Sequence, residues 1–131
     1  TQGAAANPQW TAGPAFTESF ESAEIALVSQ TTDTVAHGLS GPPLLSMAYL
    51  RCKTAEYGYS VGDEISQSQD TNHFESGGWQ WHNVSIALGA TELRYVTGLH
   101  GFLIFRADAG NIGREVAPTS ANWRLVLRAW R

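Results

Sequence analysis

The segment from Leu44 to Cys52 constrains the fold more than any other part of this sequence. A Gly-Pro-Pro turn precedes it, and Gly58 and Gly62 follow it. Its apolar side chains alternate onto both faces of an extended chain: Leu44, Leu45, Met47, Ala48, Tyr49, Leu50 and Cys52. A strand that is apolar on both faces is typically buried on both faces. We therefore predict a strand that is covered on both sides, either inside a β-sandwich or between subunits.

Shorter alternating segments fill the rest of the chain. Residues 79–88, 92–97, 102–107 and 123–131 each favour a strand, and glycines, prolines or polar residues separate them. In the last strand we expect one apolar, inward face, formed by Trp123, Leu125, Leu127 and Ala129. We expect residues 66–78 to form an exposed polar loop, and residues 34–36 to pair back onto residues 25–29 as a hairpin. Roughly seven to nine short strands with frequent turns are typical of a β-sandwich. The predicted fold is all-β, an antiparallel sandwich of jelly-roll or lectin-like type over residues 16–131.

The N-terminal residues differ in composition from the predicted sandwich. Residues 1–15 are rich in Ala, Gly, Pro and Gln, and their only large side chain is Trp10. Such a composition is typical of an extended arm or connector. We interpret Trp10 as a candidate attachment residue, with an incidental exposed aromatic as the alternative.

Charge and cysteine content exclude several classes of function. The net charge is -4 and the chain has a pI near 5.4. Nucleic-acid affinity depends on basic residues that neutralise phosphates. Because this chain is acidic, we expect no nucleic-acid partner. No apolar run is long enough for membrane insertion. Cys52 is the only cysteine, so no internal disulfide can form and a buried core thiol is the expected role.

No sequence pattern indicates catalysis. The chain lacks a G-x-S-x-G nucleophile elbow, a phosphate-binding glycine loop and an H-E-x-x-H motif. Asp63 and Glu64 are adjacent, and adjacent strand residues point to opposite faces, so we interpret them as solvated turn charges. The four histidines lack the spacing of a local metal-ligand pair. His37 and His100 each precede a glycine at a strand end, a pattern that suits a side chain hydrogen-bonding across a turn. We expect no catalytic residue, metal or cofactor, although histidines brought together by the fold remain an alternative.

One aromatic and polar cluster matches the chemistry of a saccharide site. Flat apolar rings stack on the C–H face of a sugar, and fixed polar groups bind its hydroxyls. The candidate ligand-binding residues are His73, Glu75, Trp79, Trp81, His82 and Tyr95. Trp79 and Trp81 fall on the same side of their predicted strand. They could therefore face a core or a subunit interface instead, and that alternative stays open.

Part of the sequence resembles small β-rich domains of bacteriophage virion proteins. The matching motifs are Val-Ala-His-Gly-Leu at residues 35–39, Leu-Arg-Cys-Lys-Thr-Ala-Glu at 50–56 and Gly-Tyr-Ser-Val-Gly-Asp at 58–63. The similar domains occur in tail fibres, tail tips and head fibres, and the resemblance covers roughly residues 25–65. It implies a non-enzymatic structural or receptor-binding part with a lectin-like fold. It also implies a homotrimer and an N-terminal segment that joins other virion proteins.

The resemblance implies a virion component, assembled in the bacterial cytoplasm, that acts as a fibre, spike or decoration domain. We expect it to bind a host-surface saccharide. A purely structural cementing or assembly protein is the first alternative. A polysaccharide-active or metal-dependent enzyme is the second, and a bacterial lectin outside any virion is the third.

Overall fold

The computed structural model describes residues 16–67, 71–75 and 78–131, and it describes only the backbone of residues 71–75 and of Trp79. The predicted arm, residues 1–15 with Trp10, lies outside the described residues. The domain boundary predicted after residue 15 therefore remains a prediction.

Twelve short β-strands run through the described part of the chain, and all their pairings are antiparallel. In chain order they are β1 (Ser19–Glu21), β2 (Ile25–Ala26), β3 (Thr32–Ala36), β4 (Leu45–Cys52), β5 (Glu64–Gln67), β6 (Thr71–Glu75), β7 (Gly78–His82), β8 (Val84–Leu88), β9 (Glu92–Thr97), β10 (Ile104–Phe105), β11 (Glu115–Val116) and β12 (Trp123–Trp130). A short 3-10 turn, Ser120–Asn122, precedes β12. The prediction of an all-β chain with antiparallel sheets is confirmed.

Two larger sheets contain most of the strands. The first has the order β1–β12–β4–β5, and β2 also pairs with β12. The second has the order β3–β9–β8. β6–β7 and β10–β11 form separate two-stranded sheets. β12 is therefore an interior strand of the first sheet.

Both larger sheets contribute to one apolar core. The buried residues from the first sheet are Ala48, Leu50 and Cys52 on β4, and Trp123, Leu125, Leu127 and Ala129 on β12. Those from the second sheet are Val84 on β8, with Leu93 and Tyr95 on β9. Each fully buried aliphatic side chain contributes about 1.5–3 kcal/mol relative to exposure. The predicted inward face of the last strand is confirmed.

Within the chain, β4 is buried on one face only. Leu50 and Cys52 are buried, whereas Leu45 and Met47 on the other face are exposed. The prediction that the sandwich itself covers both faces is therefore wrong. An apolar sequence cannot show whether a second layer exists on each side. That a second subunit covers the exposed face of β4 remains a prediction.

Two other sequence predictions about strands are wrong. Residues 34–36 do not pair back onto residues 25–29, because β3 pairs with β9 and β2 pairs with β12. The Gln30 backbone turns with a positive φ of 51° and donates a hydrogen bond to the Gly98 carbonyl, which directs the chain to the second sheet. Residues 66–78 are not simply a loop, since the polar segment Thr71–Glu75 pairs with β7 as a hairpin. Backbone pairing does not require apolar side chains, so the polarity of residues 66–78 did not distinguish a strand from a loop.

Candidate functional site

A tight turn between β9 and β10 is fixed against the junction of β7 and β8. The Gly98 N–H donates to the Asn83 carbonyl at 2.7 Å, and the Asn83 N–H donates to the Gly101 carbonyl at 2.7 Å. The His100 N–H donates to the Trp81 carbonyl at 2.9 Å. These three backbone bonds hold residues 98–101 beside the exposed end of β7. We call this arrangement the 98–101 turn.

The sequence at the β7–β8 junction suits its backbone. Asn83 has a φ of 72°, a left-handed conformation that asparagine tolerates better than most residues. Its buried side chain accepts a 3.1 Å hydrogen bond from the Leu103 N–H. A Cβ atom on Gly98 would lie 2.6 Å from the Trp81 carbonyl oxygen. Glycine is therefore required for the turn to approach β7 this closely.

Three aromatic rings lie together at this point. The Trp81 side chain is 52% exposed, and its ring centroid is 6.0 Å from that of His100, with the planes tilted by 32°. The ring of His82, which is buried, lies 5.8 Å from that of His100. The Trp81 backbone N–H donates to Nδ1 of His100 at 3.0 Å. In a neutral ring this contact makes Nδ1 the acceptor and places the proton on Nε2.

A groove of about 340 Å³ continues from His100, a volume within the range of small-molecule sites. Its apolar lining includes Leu27, Val28, Phe102 and Pro118. Its polar lining comes from Ser29, Ser120 and His100. Apolar walls, two hydroxyls and an imidazole next to an exposed indole can hold a small, mostly uncharged polar molecule.

The structure brings two of the sequence-predicted ligand residues together. Trp81 and His82 both lie on β7 and both approach His100. Tyr95 is separate from them, since it is only 4% exposed and belongs to the apolar core. Burial raises the pKa of the Tyr95 phenol, in agreement with that position. Tyr95 is therefore a core residue and not part of the surface around Trp81.

The other predicted ligand residues lie on the hairpin of β6 and β7. His73 pairs with Gln80, and Glu75 pairs with Gly78. Trp79 lies opposite Phe74. The side chains of His73, Glu75 and Trp79 are outside the described part of the structure, so their participation remains a prediction.

The sequence interpretation did not include His100 or the groove serines in the site. His100 precedes a glycine, and that pattern indicated only a side chain that hydrogen-bonds across a turn. The same interpretation of His37 is confirmed, because its Nδ1 accepts a hydrogen bond from the Leu39 N–H. His100 instead contacts Trp81, nineteen positions earlier in the chain. Ser29 and Ser120 come from still more distant segments and carry no local signal.

The described acidic residues next to β4 and β12 form ion pairs. Glu64 contacts Arg128 at 2.6 Å and Arg51 at 3.0 Å, on the outer face of the first sheet. The hydrogen bond from Arg128 is the main cause that lowers the pKa of Glu64. Asp63 instead accepts a 2.8 Å hydrogen bond from the Ser60 N–H within its turn. With its pKa lowered in this way, the Glu64 carboxylate stays ionised near neutral pH, which does not suit a general acid.

Among the residues that the structure describes, no group of three or more His, Cys, Asp or Glu side chains is arranged to hold a metal ion. The same residues include no helix with the length and apolar character needed to cross a membrane.

No known protein family matches this chain, and no curated protein is significantly similar to it.

Proposed function

We propose that this chain is a non-enzymatic β-sandwich component of a phage virion that binds a host-surface saccharide beside Trp81. The shared core of the two larger sheets supports the sandwich architecture. The virion assignment rests on the sequence resemblance over residues 25–65. The fibre, spike and decoration roles all belong to this proposal.

The observation that carries the saccharide proposal is the position of Trp81. Its indole is half exposed and lies against His100, which lines a groove with both apolar and hydroxyl-bearing residues. An exposed aromatic face beside fixed polar groups can stack on an apolar ligand surface while the polar groups form hydrogen bonds with the same ligand. Sugar rings offer the matching surface, with C–H groups on one face and hydroxyls around the edge.

Weak single-site affinity is compatible with this role. A virion presents many copies of a fibre or decoration domain, and linked copies raise the effective concentration at a cell surface. Avidity can exceed the affinity of one site by about 10²–10⁴. A shallow groove can therefore suffice for adsorption.

Binding of the purified chain to an array of bacterial glycans and to immobilised surface polysaccharides tests the proposal. We expect Trp81→Ala to lose the signal. Phe105→Ala is the matched control, because Phe105 is also a half-exposed aromatic, at 58%, and lies on β10. An unchanged signal for Trp81→Ala, or no glycan bound by the wild-type chain, would contradict the proposal.

A purely structural virion role is the second candidate, and the outer face of β4 favours it. Leu45 and Met47 are exposed there, and Leu45 lies opposite Trp130 of β12. Exposed apolar strips of this kind often serve subunit contacts. We propose a homotrimer that uses this strip.

Light scattering over a concentration series measures the oligomeric state. Leu45→Lys is expected to convert a trimer into monomers, whereas Val61→Lys, at an exposed residue in a turn, leaves the mass unchanged. A wild-type monomer at all concentrations would contradict the trimer. A trimer unaffected by Leu45→Lys would place the contact elsewhere.

A further inference from the structure

We infer that the site beside Trp81 selects uncharged saccharides over anionic ones, with the imidazole of His100 as a hydrogen-bond donor. The inference rests on the proposed saccharide binding and specifies its ligand class. Bacterial surface glycans include both neutral sugars and uronic acids, so the distinction decides which host polymers the domain recognises.

The described wall of the groove carries no acidic, lysine or arginine side chain. A carboxylate that enters a partly apolar groove loses solvation, and without a cationic partner no interaction offsets that free-energy cost. A hydroxymethyl group at the same position of the sugar ring needs only ordinary hydrogen bonds. The wall chemistry therefore favours the neutral sugar.

Two arginines of the first sheet are already paired with carboxylates. Arg51 and Arg128 lie on the outer face of the first sheet and form ion pairs with Glu21 and Glu64. An anion at the groove would gain little from these charges, because each already has carboxylate partners.

Among the described basic residues, Arg124 contacts a residue of the groove wall, Ser120. Its Nη1 donates to the carbonyls of Trp123, Ala121 and Ser120, at 2.7, 3.2 and 3.4 Å. These contacts hold that edge of the guanidinium against backbone rather than towards a ligand. Arg124 is nevertheless the residue to test, since it is the natural partner of any anion that did bind.

The His100 ring accepts a hydrogen bond at one nitrogen, which determines the nitrogen that can donate to a ligand. Its Nδ1 accepts the Trp81 backbone N–H, so the neutral ring carries its proton on Nε2. Nε2 is the ring atom that this contact leaves available to a ligand in the groove. A neutral N–H donor matches a sugar hydroxyl, whereas a carboxylate is bound best by a charged donor.

Paired methyl glycosides provide the test. We would titrate the chain with methyl glucoside and methyl glucuronide, and with methyl galactoside and methyl galacturonide, by NMR at low and high salt. Each pair differs only in a hydroxymethyl group against a carboxylate. The neutral member of a pair is expected to bind about tenfold more tightly or better, with an affinity that salt does not change.

Two variants assign the preference to residues. In His100→Asn the amide oxygen can still accept the Trp81 N–H, but the Nε2–H donor is lost. We expect this variant to keep its fold, as judged by its amide NMR spectrum, and to lose most of its affinity for the neutral glycoside. Arg124→Gln is expected to leave neutral binding unchanged.

The outcomes separate this inference from the proposed function. If no glycoside of either class binds, and no other glycan does, the saccharide proposal itself fails. If glycosides bind but the uronides bind more tightly, with a preference that Arg124→Gln removes, only the present inference is overturned. Neutral binding that is unchanged in a folded His100→Asn would overturn the assigned role of His100.

Discussion

The indole Nε1–H of Trp123 donates a 2.6 Å hydrogen bond to the carboxylate of Glu56, 67 positions earlier in the chain. The same carboxylate accepts hydrogen bonds from the Asn122 amide at 3.0 Å and the Thr119 N–H at 2.8 Å. Burial acts to raise the pKa of Glu56, but these hydrogen bonds outweigh it and lower the pKa overall. One side chain thus joins the segment after β4 to the 3-10 turn and the first residue of β12.

Replacing Glu56 tests this connection. Trp123 is fully buried, so Glu56→Ala leaves its indole N–H without an acceptor. We expect a loss of about 2 kcal/mol in the free energy of unfolding, measured by urea titration with circular dichroism. Glu56→Gln keeps one acceptor oxygen and should lose less. Glu92→Gln, at an exposed position, serves as the control and should change stability by less than about 0.5 kcal/mol. Equal stability of Glu56→Ala and the control would contradict the role.

Acid should destabilise the chain through the ion pairs of Arg128. Its hydrogen bonds lower the pKa values of Glu64 and Glu21 below their ordinary value of 4.5. The folded state therefore keeps these carboxylates ionised at a pH where the unfolded chain binds protons. Their contribution is present above about pH 4.5 and is lost as the pH falls through the lowered values.

Urea midpoints measured between pH 7 and pH 3 check this expectation. Arg128→Met retains much of the apolar stem but removes the charge, so its midpoint should fall less steeply below pH 4.5 than that of the wild type. Added salt should reduce the difference, because these side chains are partly exposed. Parallel curves for the two proteins would show that the ion pairs do not cause the acid sensitivity.

Gly98→Ala should disturb the candidate site and the fold together. The new methyl group would lie 2.6 Å from the Trp81 carbonyl oxygen and 2.7 Å from the His82 Cα. Backbone must move to accept it, at a cost of about 1–3 kcal/mol. Gly41→Ala is a matched control, since its methyl group meets only the movable end of the Arg131 side chain. A Gly98→Ala variant as stable as the control would mean that the 98–101 turn is not held as closely as described.

Trp81→Ala should remove glycan binding with only a small loss in the free energy of unfolding. Half of the Trp81 side chain is already in water, so its removal should cost less than about 1.5 kcal/mol. Trp123→Ala, at a fully buried position, should cost about 3–5 kcal/mol or prevent folding. Thermal unfolding of the two variants measures the contrast. A Trp81→Ala variant as unstable as Trp123→Ala would indicate that Trp81 is a core residue instead of a surface one.

The predicted inner face of the last strand was correct because alternation is a local property. Trp123, Leu125 and Leu127 alternate with arginine and valine, and the first group lies in the apolar core. Val126, on the other face, is buried as well but lies outside that core. The same rule predicted two buried faces for β4, and there it was wrong within the chain. Alternation shows which side chains share a face, but the presence of a covering layer depends on the rest of the fold.

The candidate site was only partly predictable for the same reason. Trp81 and His82 are adjacent in sequence and were identified together. Tyr95 was included with them, although β9 turns its side chain into the core. His100 was left out, although its contact with Trp81 defines the site.

The sequence by itself determined the all-β class, the residues that alternate into the core and the candidate status of Trp81. These follow from the period of two in strand side chains, which neighbouring residues express directly. Only the tertiary structure decided that β3 pairs with β9, that Glu56 holds Trp123 and that His100 meets Trp81 beside a groove. Each of these depends on hydrogen bonds between segments far apart in the chain, and local composition carries no record of which distant partner a backbone group will find.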